Sequence, residues 1–565
     1  MSEAQVTQAE KQGSLARSSL VMVGGSFASR ALGVVRAGLL TAIIGTLAAG
    51  DAFNLANTLP NVFYILAAGG ILNAVLIPAL TRAMKLPDGG QEFTDRVVTV
   101  AVIAMGGITI LVLLGAGAFV SLLSGDRGGD FERLALAFSF ICLPQIFFYG
   151  AFALFGQILN AKNRFGAFAW APFIANVVAV VGLLIFIAVF PAPQVVNVHG
   201  QPVPRTPDQW TGPMIWLFAG SATISVVAQA AWLLPALYRT GFRYRPRWGL
   251  RGVGLGGVSR LAVWAFTGLA VSQLGFFITQ WVLNTAAARS GRSSEDPLRA
   301  TSVYTVAFTI FMLPHAFIAV SIITALFPRL SKSAADDDVP TLKSDFRRGM
   351  ILPLVANVPV MVFVMVAATP IVALLNPGID GPSIELAAII LVVMILGIVP
   401  FGVDLLCYRV FFALEDGRSP LVMQAVLTTI SLSAGLITLA LEPKWAIAVV
   451  AIGQTVGNVA SSTTGIFLLR RRLGLLGLGE IVDSTARIGV AAAAAGLLAW
   501  GAMTVLSPIL GDPTAPSSVV DRLFTSGVVL SFAGVLFVIV YVALAHAFRV
   551  SEIRDVAEMV RRRIG

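Results

Sequence analysis

Two arginines lie deep in an apolar stretch, and the residues around them suggest a use. With 18–46 taken as a helix at about 100° per residue, Ser26, Ser29, Arg30, Gly33, Arg36 and Ala37 share an arc of about 120°. One face is thus cationic and small, and the remainder is Val, Leu and Ile. A charge near the bilayer centre costs about 2.5–3.5 kcal/mol on insertion scales. Two guanidiniums on one stripe therefore face a watery cavity or an anionic partner, unless helix-end carbonyls or snorkelling neutralise them. The next stretch opens with Asp51, Asn54, Asn57, Asn61 and Tyr64 on an arc of about 140°, distorted by Pro60. Asp51 either links to the arginines or caps the helix before Phe53. Asp404 and Arg409 fall together in a later stretch, where a structural ion pair, a latch between lobes and a gating or coupling role all stay open.

Other chemistry finds no support in the residues. There is no GxxxxGK[ST], no nucleophile elbow and no HExxH. Cys142 and Cys407 sit in apolar runs without a CxxC or a His neighbour, and His199, His315 and His546 are scattered singly. The cysteines read as small buried hydrophobes, and no metal or cofactor is expected. Asp336, Asp337 and Asp338 form the one acidic run, either a solvated loop or a Mg²⁺ holder of a prenyl-phosphate enzyme.

These residues must be positioned by membrane-spanning helices. The chain of 565 residues is 57% hydrophobic and 12% charged, whereas soluble domains carry about 25% charged residues. Stretches long enough to span, roughly 20 residues each, fall at 18–46, 53–81, 97–123, 134–160, 167–191, 213–237, 259–287, 300–329, 350–376, 384–414, 420–441, 445–469, 488–506 and 523–547. The fold class is an all-α polytopic membrane protein of about fourteen helices. The first stretch is longer than a signal-peptide core and carries two arginines, so it reads as a retained helix. With the N-terminus inside, the inner loops and tails hold 28 Lys and Arg and the outer loops 8, with Arg30, Arg36 and Arg409 inside helices. Both termini are therefore expected to be cytoplasmic. The net charge of +10 is topology, and no nucleic acid is expected. Arg239, Arg243, Arg245, Arg247 and Arg251 follow the sixth stretch, as a positive-inside anchor or a strip that docks lipid phosphates.

A repeat is also visible. Leu59-Pro60-Asn61-Val62-Phe63 leads to Pro78, and Leu313-Pro314-His315-Ala316-Phe317 leads to Pro328, with proline spacings of 18 and 14. Arg164 and Arg418, in two later hairpins, repeat the offset of 254 between Pro60 and Pro314. Six helices separate the copies, so the repeat is parallel and gives two six-helix lobes. The expected layout is a tail 1–17, a first lobe 18–237, a basic linker 238–258, a second lobe 259–469, two extra helices within 470–547 and a tail 548–565. Pro60 and Pro314 are candidate bending points for gating.

Phe27-Ala-Ser-Arg30-Ala-Leu-Gly33-Val-Val-Arg36, Asp51-Ala-Phe53, Leu59-Pro60-Asn61, Gly69-Gly70 and Pro78 together resemble the opening signature of the MurJ/MviN family, the bacterial lipid II flippases. Gly156 to Phe165, Leu326 to Ser333 and Arg409 to Pro420 continue the resemblance. It implies a MATE-like exporter fold in the bacterial cytoplasmic membrane, two lobes around a cationic cavity, and a last helix pair that holds a lipid tail. The family's cavity pattern falls on Ser29, Arg30, Arg36, Asp51, Asn61 and Ser302. Tyr64 and Thr309 stand where many relatives carry arginine, and Phe311 or Met312 where they carry an acid. The implied substrate is lipid II, flipped from the inner to the outer leaflet by alternating access, with Arg30 and Arg36 on its pyrophosphate. The coupling ion stays open. Membrane lipids and cell-wall synthesis proteins are the remaining candidate partners. The rivals are a flippase for another polyprenyl-linked oligosaccharide, a MATE-type exporter, a prenyl-phosphate enzyme and a structural scaffold.

Overall fold

Hydrocarbon offers no hydrogen-bonding partner, so a segment that crosses it must satisfy its backbone internally, as a helix does. The computed structural model describes residues 24–25, 27–66, 90–125, 127–162, 164–191, 204–249, 260–290, 300–515 and 519–548, and every regular element among them is helical. The main helices are α1 Phe27–Ile44, α2 Ala48–Tyr64, α3 Gln91–Leu114, α4 Gly129–Ala161, α5 Phe165–Val189, α6 Gly212–Arg239, α7 Arg260–Arg289, α8 Thr301–Ala335 and α9 Val339–Leu375. After these come α10 in two pieces, Gly381–Ile395 and Ile398–Ala413, then α11 Arg418–Ile437, α12 Ala446–Leu473, α13 Leu478–Leu510 and α14 Val519–Ala547. Twelve helices among the described residues are long and apolar enough to cross a bilayer, and α10, bent by 47°, makes thirteen. The helix beginning at Ala48 is described only through Leu66. The tail 1–17, Gly69, Gly70, Pro78, Asn163, residues 250–258 of the linker and 549–565 lie outside the described residues.

Several helices run past the apolar stretch that announces them. α9 starts at Val339 rather than 350, where the Asp338 carboxylate accepts from the Thr341 N–H and Pro340 occupies the first turn. The bonds from Thr341 also hold Asp338 below the usual carboxylate range. Leu342 and Phe346 are buried on one side of these added turns, while Lys343 and Arg347 are not. A span of pure hydropathy misses such amphipathic ends because only one face is apolar. α13 likewise begins at Leu478, ten residues before its apolar run.

The chain divides into two compact units, 1–195 with 202–269 and 196–201 with 270–565. In the first, Phe53, Phe138, Phe186, Trp210 and Phe218 converge from α2, α4, α5, the segment before α6, and α6. Most of these rings meet edge to face at 4.8–5.5 Å, as their quadrupoles prefer.

In the second unit, α9 forms the spine. It carries Pro353, Pro359 and Pro370, and leaves helical geometry at Ala367 (φ −111°, ψ 18°), just where Pro370 displaces the preceding turn. Ala491, Ala492, Ala495 and Ala499 of α13 are fully buried, and a Cβ on Gly496 would meet Val362 of α9 at 2.6 Å. Small residues thus let the helices approach closely. From α14, the Tyr541 hydroxyl donates to the Val355 carbonyl at 3.0 Å. At the other end of α14 the buried Arg522 donates to the Pro377 and Ile379 carbonyls at 2.8 and 2.6 Å, and to Ala515 at 3.3 Å.

Arg522→Ala should lower the melting temperature by a few degrees, because charged hydrogen bonds contribute about 1.5–3 kcal/mol and three carbonyls lose their donor. Arg522→Lys should recover part of the loss, since one ammonium cannot span all three acceptors. A thiol-reactive dye is a suitable probe: Cys142 and Cys407 are both free and buried, and react only once the fold opens.

Candidate functional site

α1 and the glycine just before it pack closely against α5. A Cβ on Gly25 would lie 3.0 Å from the Ala169 carbonyl, and one on Gly33 would lie 3.5 Å from Asn176. That closeness lets Asn176 reach across. Its Nδ2 donates to the Ser29 carbonyl at 2.8 Å and to the Ser29 hydroxyl at 3.3 Å, while its Oδ1 accepts from the Arg36 guanidinium at 3.4 Å. Helical side chains lean toward the N-terminus of their own helix, so Arg36 meets an amide that is also tied to Ser29. One amide therefore joins two residues of the cationic stripe and fixes the direction of the deeper arginine. Arg30 and Arg36 are half-buried, not sealed.

The stripe continues into aromatic residues. Tyr149 of α4 lies within the field of the Arg36 charge, and its ring faces that of Tyr64 on α2 at 5.0 Å. Tyr64, in place of an expected arginine, thus packs on an aromatic neighbour. Asn61, one turn earlier, is exposed, and Pro60 is buried.

Asp51 turns elsewhere. Its buried carboxylate accepts from Arg127 at 2.6 Å, and that guanidinium also lies 4.4 Å above the Phe131 ring. The helix is capped at Leu47, so Asp51 is in the first turn and is not the cap. There its negative charge also suits the positive end of the helix dipole. Arg127 and Asn176 were both missed from sequence. Asn176 is a lone polar residue in an apolar run, and Arg127 is a cation on the side expected to be poor in them.

The remaining candidates lie in the second unit. Ser302 is buried in the first turn of α8, beside Thr301, whose hydroxyl donates to Asn284 at 3.3 Å. Thr309 is exposed and bonds back to the Thr305 carbonyl. Asp404 is buried and accepts from the Ser461 hydroxyl of α12 at 2.6 Å, whereas the Arg409 guanidinium lies over Phe327 of α8 at 5.1 Å. The ion-pair reading therefore does not hold, for a clear reason: five residues along a helix turn the side chains about 140° apart. Pro314 is followed by a π-helical turn, His315–Ala319. Among the described residues no three His, Cys, Asp or Glu converge on a metal-sized site.

The family model described as "Lipid II flippase MurJ" matches residues 40–510. A probable lipid II flippase MurJ of Synechocystis is 26% identical over 542 residues, 92% of this chain and 95% of the relative. One from Vibrio cholerae is 25% identical over 507 residues, 86% and 88% of the two chains. Among solved structures, a lipid II flippase MurJ in an inward closed conformation superposes with a TM-score of 0.69 over 94% of this chain and all of that one, at 16% identity. An inward-facing multidrug resistance MATE family transporter of the MOP superfamily gives 0.61 over 81% and 98%, at 17% identity.

Asp51→Ala should destabilise the protein by about 3–5 kcal/mol, since it strands a buried cation. Replacing both partners, Asp51→Leu with Arg127→Met, should recover most of that loss. Melting curves of the three proteins, followed by thiol exposure, would check this coupling.

Proposed function

We infer the function from one premise: this chain belongs to the lipid II flippase MurJ family. It is a multi-pass membrane transporter that moves lipid II across the bilayer by alternating access, and it is not an enzyme. We place it in the bacterial cytoplasmic membrane with both termini inside, which the bias of 28 inner against 8 outer Lys and Arg supports.

Arg36 carries the site assignment. It is a cation at membrane depth whose hydrogen-bond partner, Asn176, is a neutral amide, so its positive charge stays uncompensated by that contact. A guanidinium held in one direction offers paired donors to a phosphate, and we assign Arg36 and Arg30 to the pyrophosphate of lipid II. We assign Ser29 and Asn61 to neutral hydrogen bonds with the head group, while Asp51 is engaged by Arg127. A MATE-type exporter of cations would need acidic groups where this stripe is basic. Pro60 and Pro314 would supply bending points in α2 and α8 during the cycle. The lipid tail would lie along α13 and α14, whose outward residues include Leu497, Leu498 and Phe532.

Arg36→Ala and Arg30→Ala should each slow the appearance of lipid II in the outer leaflet at least tenfold at normal membrane levels of protein. Arg36→Lys should recover only part, because a point charge lacks the paired geometry, and Asn176→Ala should fall between. The measurement is leaflet accessibility of lipid II in cells depleted of the wild-type protein and supplied with each variant from a single chromosomal copy. Normal flipping by both alanine variants would remove the assignment.

For the tail, Leu497→Ala with Leu498→Ala should weaken transport of long-chain lipid II more than of a short-chain analogue, since each buried CH₂ contributes about 0.8 kcal/mol. Equal losses at both chain lengths would take the tail off this surface.

A further inference from the structure

The arginine-rich segment after α6 is held in place at every second residue. Phe242 is buried, and beyond it the chain runs back along the first turns of α3. Gln91 donates to the Arg243 carbonyl at 2.8 Å, the Arg245 N–H donates to the buried Asp95 at 3.2 Å, and the Arg247 N–H donates to the Thr99 hydroxyl at 3.2 Å. Thr99 also bonds the Tyr244 hydroxyl at 3.0 Å, and Arg247 pairs with Glu92 at 3.1 Å. A topology signal needs only charge in a loop; it does not need backbone groups clamped to α3.

The clamp presents a particular surface. Arg243, Arg245 and Arg247 are each held through the backbone, with the Arg243 guanidinium folded back on the Tyr238 and Phe242 carbonyls and that of Arg247 on Glu92, and the side chains of Arg239 and Arg245 are exposed with no ion pair among the described residues. Lys162, at the end of α4, extends over the Phe242 ring at 5.7 Å, and the exposed Arg164 follows it. Beside these cations Trp248 is 79% exposed and Tyr238 58% exposed. Exposed aromatic rings next to clustered basic groups, where spans leave the hydrocarbon, are the chemistry of an anionic membrane surface.

We propose that this strap docks the phosphate groups of anionic phospholipids at the membrane surface beside α3 and α6. Its assignment to the inner leaflet rests on the orientation inferred above; lipid binding itself does not. The basic groups engage the phosphates, and Trp248 and Tyr238 sit at headgroup depth.

The test uses the full-length protein in detergent with equimolar dioleoyl phosphatidylglycerol and phosphatidylcholine, counting bound lipid by native mass spectrometry. The wild type should retain phosphatidylglycerol preferentially. Arg164→Gln, Arg239→Gln and Arg245→Gln combined should cut that preference by up to about a hundredfold, at about fivefold per charge. Lys332→Gln, Lys343→Gln and Arg470→Gln, an equal charge loss in the second unit, should leave it unchanged. Equal retention of both lipids by the wild type, or an equal effect of the control, would overturn the proposal and leave the strap as a topology signal or a site for an acidic protein. Sidedness is read separately from a cysteine at Pro246 (Pro246→Cys), since the native cysteines are buried. Labelling by an impermeant maleimide only from outside the cell would overturn the leaflet assignment, whatever the lipid counts.

Discussion

A bilayer interior has no water to lend, so each polar group in it must bring or find a partner. The choice of partner sorts the charges of this protein. Arg127 and Asp51 cancel one another in a buried pair, and Arg522 spreads its donors over backbone carbonyls. Asp404 takes a hydroxyl from Ser461. Arg36 differs: its partner is an amide, and it keeps part of its surface open. A neutral brace fixes the direction of a charge without cancelling its field, which is what an anion-binding group requires.

Most of the fold is legible in hydropathy, because spanning length and apolar composition are imposed by the membrane and act locally along the chain. The ends of α9 and α13 are not, since amphipathic turns at a membrane surface carry a periodic signal that an average erases. The cationic stripe is legible too, as helix geometry places Ser29, Arg30, Gly33 and Arg36 on one face without knowledge of any neighbour. Its brace is not. Nothing in the residues around Asn176 says that the first half of α5 lies beside Gly25 and Gly33, and a long-range contact leaves no local trace.

The charged candidates make the same distinction. Asp404 and Arg409 are close in sequence, yet helical rotation sends one toward α12 and the other toward α8. Asp51 and Arg127 are 76 residues apart and touch. Proximity along a helix is thus a poor guide to pairing unless the separation is three or four residues.

The π-helical turn at His315–Ala319 has an effect on the rest of α8. A π turn takes one more residue per turn than an α-helix, so everything after it lags by about 100°, the advance of a single residue. The helix therefore has two phases. Before the slip, Val303, Ala307 and Ile310 are buried; after it, Ile323, Leu330 and Ser333 are. A single wheel drawn through 301–335 would misplace one of these faces. The slip turns Ile323, Leu330 and Ser333, which an uninterrupted α-helix would set on nearly the opposite side from Val303, Ala307 and Ile310, back toward them, so that one continuous span buries adjoining rather than opposed faces.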